Sequence, residues 1–227
     1  MNKTCTVLLP GALLLLCSML LPATVFADNW SHIEQSDGVD VYERTSRYHG
    51  DNALRGVIEV DMPIDKVVSV FVDADERLNW VYRVAEQEVL GVDDDQQEAW
   101  EERYWTRVDM PFPVSDRDYV LHAAYQFHRD QRKVTAILRS TTDPRMPEQD
   151  CCVRAESVTR YTIEALPGEE RTRIEVIIET DLNGSVPRRL IDRAGPDWPA
   201  GTLSGLVERA KANGIAGDER VANWHDE

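Results

Sequence analysis

Met110-Pro-Phe-Pro-Val-Ser-Asp-Arg-Asp-Tyr119 joins two strand-like runs, 98–108 and 119–128, and its reading decides the fold. Pro111 and Pro113 fix φ, remove two backbone donors and bias Met110 and Phe112 to extended geometry. The connection is therefore a stiff, hairpin-type loop that holds Met110, Phe112 and Val114 partly out of the ladder. Directly behind it, Asp116-Arg117-Asp118 sets three charges where a strand starts, enough for an ion-pair corner.

Outward from this loop the chain reads as a meander. Strands are expected over 86–92, 98–108, 119–128, 133–140, 153–165 and 172–182, separated by turn-rich pieces such as Asp93-Asp94-Asp95 and Leu166-Pro167-Gly168. Upstream, 39–44 and 54–60 are strands, and Pro63 opens a helix whose Ile64, Val67, Val68 and Phe71 form one buried stripe. A short helical piece, 75–81, then carries Arg77 and Trp80. Alternation puts Tyr119, Leu121, Ala123, Tyr125 and Phe127 on one strand face, with Trp100 and Tyr104 beside them on the neighbouring strand. Ile174, Val176 and Ile178 share a face in the same way.

Antiparallel strands with one apolar face need a cover. It is expected near the C-terminus, where a helix over 187–193 is interrupted at Gly195-Pro-Asp-Trp-Pro199 and resumes over 202–213. Leu203, Leu206, Val207 and Ala210 make its apolar stripe, and Asn213-Gly214 ends it. Strands in one block plus a covering helix is an α+β layout.

Lys3 followed by an apolar run, 7–21, and Val25-Phe26-Ala27 reads as a secretory signal peptide over 1–27. The run is shorter than the roughly 20 residues of a spanning helix. Residues 28–213 then form one domain, and 214–227 an acidic, loose tail anchored by Trp224. Removing 1–27 takes away Lys3 and no acid, so the net charge moves from −16 to −17. Such a chain is repelled by nucleic acid and by anionic surfaces. Cys151 and Cys152 are neighbours, and a disulfide between them is not expected; one thiol should face inward and one outward on a strand.

Three further anchors accompany the opening loop: Arg77-x-x-Trp80, Met146-Pro-Glu-Gln with Val153-Arg-Ala-Glu156, and Asp181-x-x-Gly184-x-x-Pro187. In this order and spacing, over roughly residues 30–213, the chain resembles the START family, the lipid-transfer domains related to steroidogenic acute regulatory protein. The resemblance implies a helix-grip fold, a curved antiparallel sheet wrapped around a long C-terminal helix and enclosing a tunnel for one lipid. It implies a lipid ligand and transient membrane contact. No cofactor, no metal and no catalytic residue are expected, and the chain is expected to be an exported, periplasmic or secreted monomer.

On that reading the ligand-binding residues are Trp80, Trp100, Tyr104, Tyr119, Leu121, Ala123, Tyr125, Phe127, Ile178, Leu203, Leu206 and Val207. Met110, Phe112, Val114 and Trp198 are the gate and membrane contact, with glycines 195, 201 and 205 loosening the helix around Trp198. The buried acid and arginine that sterol carriers of the family place on adjoining strands align here with Tyr104 and Ala123, so the polar pair is missing and cholesterol is disfavoured. Fatty acid, phospholipid, hopanoid and quinone-like ligands stay open. The rival classes are a helix-grip enzyme of cyclase or hydratase type and an interaction module. Glu102 is the one inward acid an enzyme could use, though a solvated or edge position is expected for it. His122 and His128 share the strand face opposite the aromatics and lie too far apart to hold a metal.

Overall fold

The computed structural model describes residues 29–48, 52–96, 99–168 and 170–224. The expected leader over 1–27 lies outside these residues. Strands β1 (Ser31–Ser36), β2 (Val39–Thr45) and β3 (Asn52–Val60) precede helices α1 (Ile64–Val72) and α2 (Arg77–Trp80). Strands β4 (Val84–Gln96), β5 (Ala99–Val108), β6 (Arg117–His128), β7 (Lys133–Ser140), β8 (Val153–Arg154), β9 (Glu156–Ala165) and β10 (Thr172–Asp181) follow, then helices α3 (Arg188–Ala194) and α4 (Asp197–Lys211). The strands form one sheet in the order β1-β2-β3-β10-β9-β7-β6-β5-β4, with short β8 paired in parallel to the start of β6. Pairing of β3 with β10 brings the first meander against the last strand, with Val57 opposite Glu175.

The inner face of this curved sheet carries the alternating apolar residues. Ile174 and Val176 of β10 and Ala123 of β6 are fully buried, as are Leu203 and Leu206 on α4. The long helix can come this close because β3 has Gly56 beneath it. A Cβ there would lie 2.9 Å from Pro199 Cβ and 3.2 Å from Leu203 Cδ1. Helix α4 starts earlier than the expected 202, so Trp198-Pro199 belongs to its first turn. Pro196 and Pro199 are tolerated because the first four N–H groups of a helix have no partner within it. The interruption narrows to Gly195-Pro196.

Gly201 and Gly205 do not loosen the helix as expected. A Cβ on Gly201 would sit 2.4 Å from the Tyr82 ring, and one on Gly205 would sit 2.5 Å from the Trp80 carbonyl oxygen. Both are glycine so that the end of α2 and the segment following it can press into the helix surface.

Four other expectations need correcting. Strand β1 was not anticipated: its residues are nearly all exposed, and pairing with β2 rather than burial forms it. The expected single strand over 153–165 is broken at Ala155 into β8 and β9. The segment after α4 is not loose. Val221 and Trp224 are 0% and 2% exposed, Asp218 N–H donates to the Asp65 carbonyl at 3.0 Å, and the Arg220 guanidinium lies 4.4 Å from the Phe127 ring centre. Finally, Cys151 and Cys152 are disulfide-bonded, and they stand in the turn before β8 rather than on a strand.

The outer face is also partly covered. Leu90, Trp105 and Val120 form a second small apolar cluster against Met146, so β6 is buried on both faces near its start.

Candidate functional site

Two adjoining cavities open between the sheet and the C-terminal helices. The outer one, about 120 Å³, is bounded by Met110, Pro111 and Val114 of the loop after β5, by Leu182 and Val186 ahead of α3, and by Leu190, Ile191 and Ala194 of α3 itself. The inner one, about 80 Å³, lies among Phe71, Arg77, Trp80, Tyr104, Tyr125 and Tyr161. Tyr119, Ile178, Thr180 and Trp198 line both, so they form the waist between them. The outer walls are almost wholly apolar; the inner end is not.

At that inner end Arg77 is 4% exposed and Glu102 is 4% exposed. Arg77 Nη2 donates to Glu102 Oε1 at 2.5 Å, and the Tyr125 hydroxyl donates to the same oxygen at 2.7 Å. Arg77 Nη1 also donates to Gln87 Oε1 at 3.3 Å, and its guanidinium carbon stands 4.0 Å from the Tyr104 ring centre. Three elements meet here: α2 supplies Arg77, β5 supplies Tyr104 and Glu102, and β6 supplies Tyr125. Burial opposes the charge on Arg77, but Tyr104, Tyr125 and Glu102 more than offset it and raise its pKa. Burial pushes the Tyr104 phenol up to about 12, with Arg77 opposing and Glu102 adding to the rise. Burial likewise raises Tyr119, Tyr125 and Tyr161. At neutral pH all four are therefore neutral phenols, able to donate a hydrogen bond. Trp80 Nε1 is buried and has no protein acceptor.

Glu102 thus takes the inward position that its parity with Trp100 and Tyr104 indicates, and the expected solvated or edge position is wrong. Tyr104 and Ala123 carry no charged pair, in line with the sequence, but a different buried pair, Arg77–Glu102, stands nearby. Tyr104 pairs with Leu121 and Glu102 with Ala123 across β5 and β6, and the arginine comes from α2 instead of a neighbouring strand. The sequence signal for Arg77 was the Arg77-x-x-Trp80 spacing. Nothing local shows that a helical residue reaches a strand carboxylate 25 positions away.

Of the residues expected at the site, Trp80, Tyr104, Leu121 and Tyr125 line the inner cavity, Tyr119, Ile178 and Trp198 the waist, and Met110 and Val114 the outer cavity. Trp100 and Phe127 lie beyond the inner end, where Trp100 stacks on Tyr125 at 4.5 Å and Phe127 meets Trp224 edge-on at 6.3 Å. Ala123, Leu203, Leu206 and Val207 are buried in the solid core. Phe112 stands 96% exposed at the loop tip. The residues not anticipated are Arg77, Phe71, Tyr82, Tyr161, and Leu190 with Ile191 of α3. His122 and His128 bond to Glu101 at 3.0 Å and Thr135 at 2.9 Å, away from both cavities.

The corner behind the loop is braced as well. Asp116 accepts from Met110 N–H at 3.0 Å and from Arg107 at 2.7 Å. Asp118, fully buried, accepts from Arg154 and from Trp105 Nε1, both at 2.8 Å. Arg117 pairs with neither neighbour; it donates to the carbonyls of Ser115, Leu182 and Asn183, tying the loop to the segment ahead of α3.

Comparison with known proteins places these features. The START domain profile matches residues 13–209. The chain is 27% identical over 186 residues to an uncharacterized Pseudomonas aeruginosa protein, covering 82% of this chain and 88% of that one. It is 24% identical over 196 residues to the phosphatidylcholine transfer protein of Mus musculus, covering 85% and 88%. Human StAR-related lipid transfer protein 5 superposes with a TM-score of 0.72 at 19% identity, covering 81% of this chain and 87% of that one, which shows the shared fold.

Proposed function

Because this chain belongs to the START domain family, we propose that it binds one amphipathic lipid between the sheet and helices α3 and α4 and carries it between membranes without altering it. The observation that supports this most is the Arg77–Glu102–Tyr125–Tyr104 cluster at the inner cavity, reached past the largely apolar walls of the outer one. An acyl chain of about 16 methylenes gives up roughly 13 kcal/mol of transfer free energy in water, at ~0.8 kcal/mol per CH₂. An apolar sleeve matching most of that removes the barrier to crossing water. A few polar groups at its end then select the headgroup.

The charges of Arg77 and Glu102 balance, so the cluster favours a headgroup without net charge; an extra buried charge would need a partner that is not there. Trp80 Nε1 and the neutral Tyr104 phenol add donors, whereas the Tyr125 hydroxyl is already given to Glu102. A zwitterionic phospholipid fits this set, and the relative named for phosphatidylcholine transfer makes that lipid the first to try. Glu102 is engaged by Arg77 and Tyr125, which favours a positioning role over proton transfer.

The cavities as they stand are far smaller than the ~300–1,000 Å³ of ordinary ligand sites, so loading requires opening. The loop from Met110 to Val114 and α3, which has no buried residue, are the proposed gate, and exposed Phe112 is the proposed membrane contact. Export of the protein, read from residues 1–27, remains part of this proposal. The test is native mass spectrometry after incubation with phosphatidylcholine vesicles, beside transfer of a fluorescent phosphatidylcholine between vesicles. One lipid per chain and protein-dependent transfer are expected. An empty protein that transfers nothing would overturn the reading.

A further inference from the structure

The disulfide-bonded Cys151 and Cys152 lead directly into β8, and β8 is where both sides of the outer cavity's mouth are tied together. Val153 N–H donates to the Asp116 carbonyl at 3.0 Å, and Asp116 Oδ1 in turn accepts from Met110 N–H at 3.0 Å, on the gate loop. Arg154 holds Asp118 through its side chain, and its carbonyl accepts from Asn183 Nδ2 at 3.0 Å, next to Leu182 on the opposite side of the mouth. Adjacent cysteines close a small ring that contains their own peptide bond. Opening it frees the backbone of the turn that positions β8. Cys151 is exposed and Cys152 half-buried, so an attacking thiolate can approach from the Cys151 side.

We infer that Cys151 and Cys152 form a thiol–disulfide exchange site whose state sets how firmly the mouth of the lipid cavity is held. The inference rests on the gate proposed above. The reductant is a dithiol. Its thiolate attacks Cys151 Sγ, the S–S bond breaks, and Cys152 leaves as a thiolate that takes up a proton, giving a mixed disulfide. The second thiolate of the reductant attacks its own sulfur in that bond; Cys151 leaves and is protonated. The protein has then gained two electrons and two protons, and the dithiol has become a disulfide. Exchange with a disulfide oxidant runs the same steps backwards.

The test compares protein purified without reductant with the same protein treated with dithiothreitol. Alkylation under denaturing conditions should add nothing at Cys151 and Cys152 before treatment and two groups after it. Amide exchange at Val153 and Met110 should quicken on reduction. Transfer of fluorescent phosphatidylcholine should rise about fivefold, the equilibrium equivalent of one ordinary hydrogen bond. The Cys151→Ser/Cys152→Ser variant should transfer at the reduced rate with or without dithiothreitol. Free thiols before treatment would overturn the inference, as would amide protection and transfer that do not change with redox state. If neither form transfers lipid, the proposed function fails, and the amide exchange alone decides whether the pair controls the mouth.

Discussion

Replacing Glu102 with leucine isolates one charge of the proposed headgroup end. Arg77 would keep Gln87 at 3.3 Å and the Tyr125 hydroxyl at 3.4 Å, but no carboxylate, while only 4% exposed. Breaking a buried pair by removing one partner costs about 3–5 kcal/mol, because the remaining charge stays desolvated. For a domain of this size that is a fall in Tm of roughly 6–20 °C. The Arg77→Met/Glu102→Leu variant removes both charges and should return to within about 1 kcal/mol of the parent, since apolar groups can replace a buried pair at little cost. Urea denaturation of parent, single and double variants measures this, and vesicle transfer of phosphatidylcholine measures the consequence. The double variant should fold yet lose its preference among headgroups. A Glu102→Leu protein as stable as the parent would show that the pair is not desolvated. A double variant as unstable as the single, or one with unaltered lipid preference, would refute the role assigned to the pair.

Four further outcomes follow from the packing. Gly205→Ala should destabilise by about 1–3 kcal/mol in thermal melts, because its Cβ meets the Trp80 carbonyl at 2.5 Å and overpacking outweighs the gain in helix propensity; a more stable variant would contradict this. Trp224→Ala should cost about 3–5 kcal/mol by urea denaturation, since that side chain is 2% exposed against Phe127, whereas a loose tail would cost nothing. Phe112→Asp should leave stability within about 0.5 kcal/mol, the side chain being 96% exposed, but slow vesicle-to-vesicle transfer. Hydrogen bonds from Arg209 and Asn79 hold Glu76 down from 4.5 to about 2. Its contribution is therefore full above about 4.5 and lost as pH falls toward about 2, and Arg209→Met should flatten that part of the acid-unfolding profile.

Much of the architecture is visible along the chain because its determinants are local. Period-2 alternation placed Tyr119 to Phe127 and Ile174 to Ile178 on the inner face, and the i, i+3, i+4, i+7 stripe of Leu203, Leu206, Val207 and Ala210 marked the covering helix. Strand β1 was invisible because it has no buried face to write into the sequence. The tail misled for a different reason: Trp224 was expected as its anchor, but the acidic composition hid the burial of Val221 beside it. At the site, parity pointed Glu102 inward. Whether it would be solvated depended on α2, which brings Arg77 over it.

Residue types at fixed spacing were enough for the α+β class, most of the strand and helix order, the loop from Met110 to Val114 and the family. Tertiary structure alone decided three things. It joined Arg77 to Glu102, gave Gly201 and Gly205 to close packing instead of hinge motion, and set the disulfide turn beside the mouth of the cavity. Each depends on distances between elements far apart in the chain, and those distances are set by how α2 and α4 seat on the curved sheet rather than by any local pattern.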